Sequence, residues 1–561
     1  MHENEADSIA KKNGLSGKTK RQKFYVELIK PSHYDDEGYV IQWRKSFSIS
    51  NSLACLYGLS LDAARNKILG EAVDIMVDAH DDFSSVIPIK KIIKKCTGRG
   101  NGGIVCLVGV QTNQYPRALD IAGTFRKSNI PVVIGGFHVS GCVAMLSDLP
   151  RELQEALDLG VSLFAGEAEG RFSELLTDAF IGRLKPVYNY IGQLPQLNDQ
   201  PSPFLPSKII NKSLSSDIPV DTSRGCPFNC SFCTVINVQG RKSRFRAADD
   251  VESMILNYHG DYKKNHFFFT DDNFARSANW EEILDRLILL RTRKNIKIRF
   301  GIQVDSQAHT VPGFVEKAAQ AGCNWVFIGI ESINPDNLKA ANKIQNNVAR
   351  YREMLQAWRD KKIITMAGYI IGFPEDTPFT IERDIKTIQQ ELPLDIIMFF
   401  SLTPLPGSKD YNKMRDSGVW MESDLNKYDS EHATIKHPKM SMAEWDRIFS
   451  RTWALYYTPA HIETLLRRAI GDGISAGRLT GRMIISRWGM KYEKVHPFQC
   501  GAFRIKKRKS RRAGYPLEHP FVFYPRRLLE TIKSNISLFI LFIRLQGLVK
   551  RIKKERATLS R

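Results

Sequence analysis

The chain has 561 residues and a mass of 63.8 kDa, a length that suggests about three or four domains. With 43% hydrophobic and 25% charged residues it can bury ordinary cores, which excludes collagen-like, wholly disordered and small disulfide-stapled classes. The net charge of +21 is uneven: residues 481–561 hold 21 basic and 4 acidic residues, so a nearly neutral body and a strongly basic tail need separate accounts.

Residues 1–23 are polar and charged, lack the apolar core of a secretory signal, and are expected to form a disordered lead. The nine cysteines are an odd number in a chain without an export signal, so free thiols and a cytosolic setting are expected. No run approaches the roughly 18–20 apolar residues of a membrane span; the best, Ile536–Ile543, is followed by Arg544.

Residues 24–192 read as a doubly wound parallel sheet. Strands are expected at Phe24–Ile29, Val73–Val77, Ile104–Val110, Val132–Ile134 and Ser162–Phe164, alternating with helical segments such as Ala118–Phe125. Ligands of such sheets lie beyond the strand C-termini. Those ends are Gly109-Val-Gln111-Thr112, Gly135-Gly136-Phe-His138 and Gly166-Glu167-Ala-Glu169. Their glycines let a ligand approach the backbone. His80, in Asp78-Ala-His80, reads as a surface loop residue and Asp78 as a strand-end acid. A proline-rich linker covers residues 193–215.

Next comes a short strand, Ile218–Thr222, and then Arg224-Gly-Cys226-Pro-Phe-Asn-Cys230-Ser-Phe232-Cys233. Thiolates this close converge on one metal centre. Three of them suit three irons of a [4Fe–4S] cube with one iron left open; zinc would need a fourth protein ligand, and no histidine lies nearer than His259. Five further strands follow: His266–Thr270, Lys297–Gln303, Trp325–Ile330, Thr365–Ile371 and Ile396–Leu402. Helical patterns lie between them, giving six β/α units over residues 216–410.

The C-x3-C-x2-C loop with Phe232 beside its last cysteine resembles the radical S-adenosylmethionine (SAM) superfamily. The resemblance implies that Cys226, Cys230 and Cys233 hold the cluster while SAM binds the open iron, with Phe232 near the adenine. It also places Asp272 of Asp271-Asp272-Asn273-Phe274 at the SAM amino group, Glu331 and Ser332 as polar SAM contacts, and Gly368, Ile370 and Gly372 of the G-x-I-x-G-x-x-E pattern beside the adenine. Asp271-Asp272 departs from the family's Gly-Gly-Glu, and a solvated helix N-terminus is an alternative for that pair.

The front domain resembles the cobalamin-binding domain fused to many of these enzymes. This implies Gln111, Thr112, Gly135, Gly136, His138, Gly166 and Glu167 as cobalamin contacts, with no histidine ligand to cobalt; a degenerate scaffold or dimer surface is the alternative. The implied fold is α/β: a Rossmann-like doubly wound domain, a partial (β/α)6 TIM-type barrel and a helical C-terminal extension. The implied activity is reductive cleavage of SAM to a 5′-deoxyadenosyl radical and cobalamin-dependent methylation of an unactivated carbon. Cyclisation, as in the anaerobic magnesium-protoporphyrin ester cyclase, RNA modification, and a non-catalytic iron–sulfur protein are the alternatives. A one-electron reductant such as flavodoxin or ferredoxin is implied as partner.

Residues 411–478 read as a helical cap, in which Tyr428 and His432 face either the substrate cavity or a structural contact. The basic tail, 479–561, carries Arg504–Arg512 and Lys550–Lys554 on either side of the apolar run. That arrangement suits an anionic membrane surface and a lipid-like small-molecule substrate, with RNA the competing partner.

Overall fold

The computed structural model describes residues 21–214 and 217–559. The expected lead lies outside the described residues up to residue 20; its last part is not a lead, since strand Gln22–Lys30 begins inside it. That strand is central in a six-stranded parallel sheet. In spatial order the sheet runs Val73–Asp81, Gln22–Lys30, Asn101–Leu107, Val132–Gly135, Ser162–Ala165 and Val187–Asn189. The register pairs Val26 with both Val77 and Ile104. Side chains on both faces are covered by helices, which is why these strands read as near-continuous apolar runs. The sixth strand, Val187–Asn189, has three residues and too little pattern to be read beforehand.

A second six-stranded parallel sheet runs in chain order through Asp217–Val220, His266–Phe269, Arg299–Val304, Cys323–Glu331, Ile364–Ile371 and Ile396–Ser401. Its first and last strands do not pair, so it is an open partial barrel. Ile364–Ile371 is buried at every position, as expected of a strand covered on both faces.

Two further elements were not anticipated. Helix Asn51–Arg65 is capped by Ser50, whose side chain accepts from Leu53 N at 3.2 Å. The linker crosses this helix at Gly58, where any Cβ would strike the Ser202 carbonyl. The other is an antiparallel pair between Gln42–Ser46 and Gly501–Ile505, which ties the basic tail to the front of the chain.

This pairing corrects the expectation for Arg504–Arg512. Arg504 and Lys506 meet Asp35 at 3.0 and 3.1 Å, Lys506 also meets Glu37 at 2.8 Å, and Arg512 meets Asp424 at 2.7 Å. Three of the seven basic side chains of that run are thus paired inside the protein, by acids too distant in sequence to be paired by inspection. The apolar run Ile536–Ile543 belongs to a single 40-residue helix, Pro520–Leu559. By length and composition that helix is apolar enough to cross a membrane, with a mean hydropathy of 1.4 over 18 residues. The sequence expectation missed it because short polar stretches, such as Arg526-Arg527 and Lys533-Ser534-Asn535, interrupt the apolar positions along the helix.

Candidate functional site

The cluster loop leaves the barrel at the C-terminal end of its edge strand, the face where such barrels place active sites. Ser223–Arg224 pairs antiparallel with Arg244–Phe245, closing the loop into a hairpin. Cys226 N donates to Gly240 O at 3.2 Å. Gly225 has φ +98°, and a Cβ there would lie 2.7 Å from Lys242 O, so the residue before the first cysteine has to be glycine. Its N–H donates to Asp272 Oδ2 at 2.9 Å.

Asp271 and Asp272 are not a solvated helix N-terminus. Asp271 is fully buried, accepting hydrogen bonds from the Thr222 hydroxyl at 2.6 Å and from the Ser223 hydroxyl. Burial pushes the Asp271 carboxyl up to about 7 and that of Asp272 up to about 6. Asp272 therefore stands directly behind the cysteine loop.

From the other side, Glu331 ends strand Cys323–Glu331 in the left-handed region, φ 58°, and forms an ion pair with buried Lys343. The Lys343 ammonium lies 5.7 Å from the centre of the Phe232 ring, and Gln345 Nε2 donates to Cys230 Sγ at 3.4 Å. Phe232 also packs edge-on against Phe373. Ser332 is buried, and its hydroxyl accepts from Asn334 N at 3.0 Å. Gly368 faces Phe327 and Phe400, Ile370 is buried, and Gly372 N donates to Asp376 Oδ2 at 2.8 Å. Lys343 and Gln345 were missed by sequence reasoning, because they lie in an irregular segment beyond the strand and match no motif.

Among the described residues, two sets of three ligating atoms lie within 4.8 Å of one another: His138/Cys142/Glu152 and Glu27/Asp78/His80. The three loop thiols are not such a set. One tetrahedral zinc would hold its sulfurs about 3.8 Å apart, given Zn–S near 2.3 Å. The loop sulfurs are not gathered that closely. Burial pushes the Cys226 thiol up and the Cys233 thiol up to about 12, a cost that metal ligation offsets.

Beside the loop lies a cleft of about 160 Å³. One wall is made by the front sheet's strand ends at Gly109, Gly135–Gly136 and Gly166–Glu167. The others come from Ser52 and Cys55 of helix Asn51–Arg65 and from Arg224, Val238 and Gln239 of the cluster hairpin. No histidine is among its lining residues.

Gln111, Thr112 and His138, expected as cofactor contacts, are not among the residues lining this cleft. Gln111 closes a capping box with Gln114. Thr112 is buried with its hydroxyl 3.3 Å from His138 Nδ1, and His138 is fully buried against the Tyr115 ring. Burial pushes the His138 imidazole down to about 3. The reason is steric: His138 lies in the first turn of helix Phe137–Met145 and points into the layer beneath it. His80 is likewise corrected. It sits in strand Val73–Asp81, buried, with Nε2 2.9 Å from Glu27 Oε2, and Lys95 reaches Glu27 and Asp78 at 2.8 and 3.1 Å.

Arg224 joins the two halves. It reaches Glu167 at 2.8 Å, Glu169 at 2.6 Å and Asp221 at 2.9 Å; Arg244 pairs with Glu167, and Arg246 meets Asp221 at 3.2 Å. All six side chains are buried. The acids of the front sheet's Gly-Glu-x-Glu turn thus grip the residue two before Cys226. In the cap, Tyr428 is buried and its hydroxyl donates to Glu422 O at 2.8 Å, while His432 lies between Asp36 at 3.1 Å and Asp429 at 3.0 Å.

A family model described as the radical SAM superfamily matches residues 220–388. The bacteriochlorophyllide d C-12(1)-methyltransferase of Chlorobaculum tepidum is 32% identical over 316 residues, which cover 55% of this chain and 65% of that protein. The hopanoid C-2 methylase of Rhodopseudomonas palustris is 24% identical over 351 residues, 62% of this chain and 63% of that protein. The chain thus spans a little under two thirds of each. The radical SAM methyltransferase TsrM from Kitasatospora setae superposes with a TM-score of 0.58 at 16% identity, over 78% of this chain and 90% of that one. OxsB with aqua-cobalamin bound gives 0.52 at 13%, over 96% and 81%; both likenesses are of fold. The cysteine hairpin at the mouth of the open six-stranded barrel lies inside the matched span, and residues 220–388 are a radical SAM domain.

Proposed function

We propose that the protein is a cobalamin-dependent radical SAM methyltransferase acting on an unactivated carbon of a small apolar molecule. One observation carries the reading: the front-domain cleft is walled by the cluster hairpin itself, so a group held there stands next to whatever the three cysteines hold. The names of the similar proteins, methylases of a bacteriochlorophyllide and a hopanoid, support both the reaction and the apolar substrate class.

The strand-end glycines let a cofactor approach the backbone of the cleft, and three cysteines in one short loop suit three irons of a [4Fe–4S] cluster. When bound, these groups supply SAM cleavage, hydrogen abstraction and methyl donation. This chain's own residues position them. Asp272 and the Gly225 N–H brace the loop from behind. Lys343 and Glu331 place a charge pair beside Phe232, where a zwitterionic amino acid would be oriented. Arg224 locks the hairpin to the cleft wall.

Anaerobic reconstitution with iron, sulfide and hydroxocobalamin, followed by desalting, tests the proposal. About four irons and one cobalt per chain are expected, with 5′-deoxyadenosine and S-adenosylhomocysteine formed under a one-electron reductant such as flavodoxin. Four irons without cobalt would overturn the methyltransferase reading while leaving the cluster in place.

A further inference from the structure

The C-terminal helix Pro520–Leu559 has two unlike faces. Its inner face is docked along its length. Phe523, Leu545, Val549 and Ile552 are buried, Phe523 packs against Tyr39, and Trp488 Nε1 donates to Ser534 O at 3.0 Å. Near its end, Arg551 meets Glu463 at 2.8 Å. The outer face carries Phe521, Leu528, Ile532, Ile536, Phe539 and Ile543, spaced to form one stripe, with Leu528 and Phe539 61% and 62% exposed. The stripe runs roughly 33 Å at 1.5 Å per residue. Adjacent Leu529, Ile540 and Phe542 are also exposed; at 100° per residue they widen the apolar arc to roughly 160°. Such a surface is not left to water without a partner.

Beyond Ile543 the same face turns basic. Lys550, Lys553 and Lys554 project from it, and Lys533 and Arg544 flank the apolar arc. All five are exposed and form no salt bridge among the described residues.

We propose that this face seats the protein on an anionic lipid bilayer, with the helix in the membrane plane. The apolar two thirds would be immersed at the acyl boundary, and Lys550, Lys553 and Lys554 would rest on lipid phosphates. A second copy of the chain fits the face poorly. A paired-helix seam is a narrow stripe, whereas this arc is broad. In any symmetric pair the basic end would also face either its own copy or the partner's apolar half. A spanning orientation would strip the inner face from Tyr39, Trp488 and Glu463.

The test is co-sedimentation of the full chain with phosphatidylcholine vesicles, with and without about one-third phosphatidylglycerol. Binding is expected, stronger on the anionic vesicles, and released by alkaline carbonate. The combined change Leu528→Gln, Ile536→Gln and Phe539→Gln, confined to exposed positions, is expected to weaken binding at least about tenfold without shifting the unfolding transition. Lys550→Glu, Lys553→Glu and Lys554→Glu together are expected to remove the preference for anionic vesicles. Absence of vesicle binding would overturn the proposal. So would a solution dimer that the three glutamines dissociate, which would make the occupant a second copy, or resistance to carbonate, which would make the helix spanning. None of these readouts depends on cofactor loading, so they stand or fall apart from the methyltransferase reading.

Discussion

Replacing Arg224 with glutamine isolates the contact between the front domain and the cluster hairpin. In the native protein one guanidinium serves Glu167, Glu169 and Asp221. Without it, Glu167 keeps Arg244 and Asp221 keeps Arg246, but Glu169 has no other cation within salt-bridge distance among the described residues. One uncompensated buried carboxylate costs about 3–5 kcal/mol, and that is the expected loss in denaturant unfolding at pH 8.

The sign of the pH dependence follows. Burial alone would raise the Glu169 pKa, but Arg224 holds it below its usual value. In the native protein this carboxylate therefore stabilises above its unfolded pKa and loses that contribution as pH falls. In the variant its folded pKa rises instead, so the penalty should be full at pH 8 and shrink towards pH 5 as the carboxyl takes up a proton. A Glu169→Gln, Arg224→Gln double variant should lose at least about 1 kcal/mol less than the sum of the single losses. A loss below about 1 kcal/mol for Arg224→Gln, or strictly additive changes, would refute the claim that this network holds the two halves in register.

Other consequences can be checked separately. Gly225→Ala forces a Cβ onto Lys242 O at positive φ and should cost about 2–4 kcal/mol; iron bound per chain after reconstitution should fall with it. Alanine at Cys226, Cys230 or Cys233 should abolish 5′-deoxyadenosine formation and lower the iron content, and turnover surviving all three changes would sink the proposed chemistry. Burial would lower the His432 pKa, but Asp36 and Asp429 hold it up at about 11. Its stabilisation should be complete below pH 6.5 and decline as pH rises towards 11. His432→Gln should therefore cost about 1–3 kcal/mol at pH 6 and less at pH 9.5, and a gap that does not change with pH would contradict this.

Both sheets were legible from the sequence because buried parallel strands are runs of β-branched and aromatic residues ending in glycine or acid. His266–Phe269 and Ile364–Ile371 are examples. The cysteine hairpin was legible because its ligands are local. What escaped was long-range or short. Glu167 and Arg224 are 57 residues apart, and no spacing rule pairs them. Gln42–Ser46 has a partner more than 450 residues away and only five residues of its own. His138 was placed in the cleft by its neighbours in the motif, but the first turn of a helix decides where a ring points, and here it points inward. Of the long C-terminal helix only Ile536–Ile543 was read as apolar, because its two faces alternate in a pattern that a linear run does not show.

The strand pair Gln42–Ser46 with Gly501–Ile505 sets an order for how the molecule matures. Strand Gln42–Ser46 waits for a mate made more than 450 residues later. Until then Ile41 and Trp43 lack Trp488, Val495 and Cys500, with which they form a small separate core. Contacts of such sequence separation form slowly, since loop closure precedes any reward. Until residues 501–505 are made, the nascent chain carries an unpaired edge and an uncovered tryptophan, a natural site for chaperone engagement. A chain cut short before residue 501 would keep both sheets' strands and leave the Gln42–Ser46 edge without its mate.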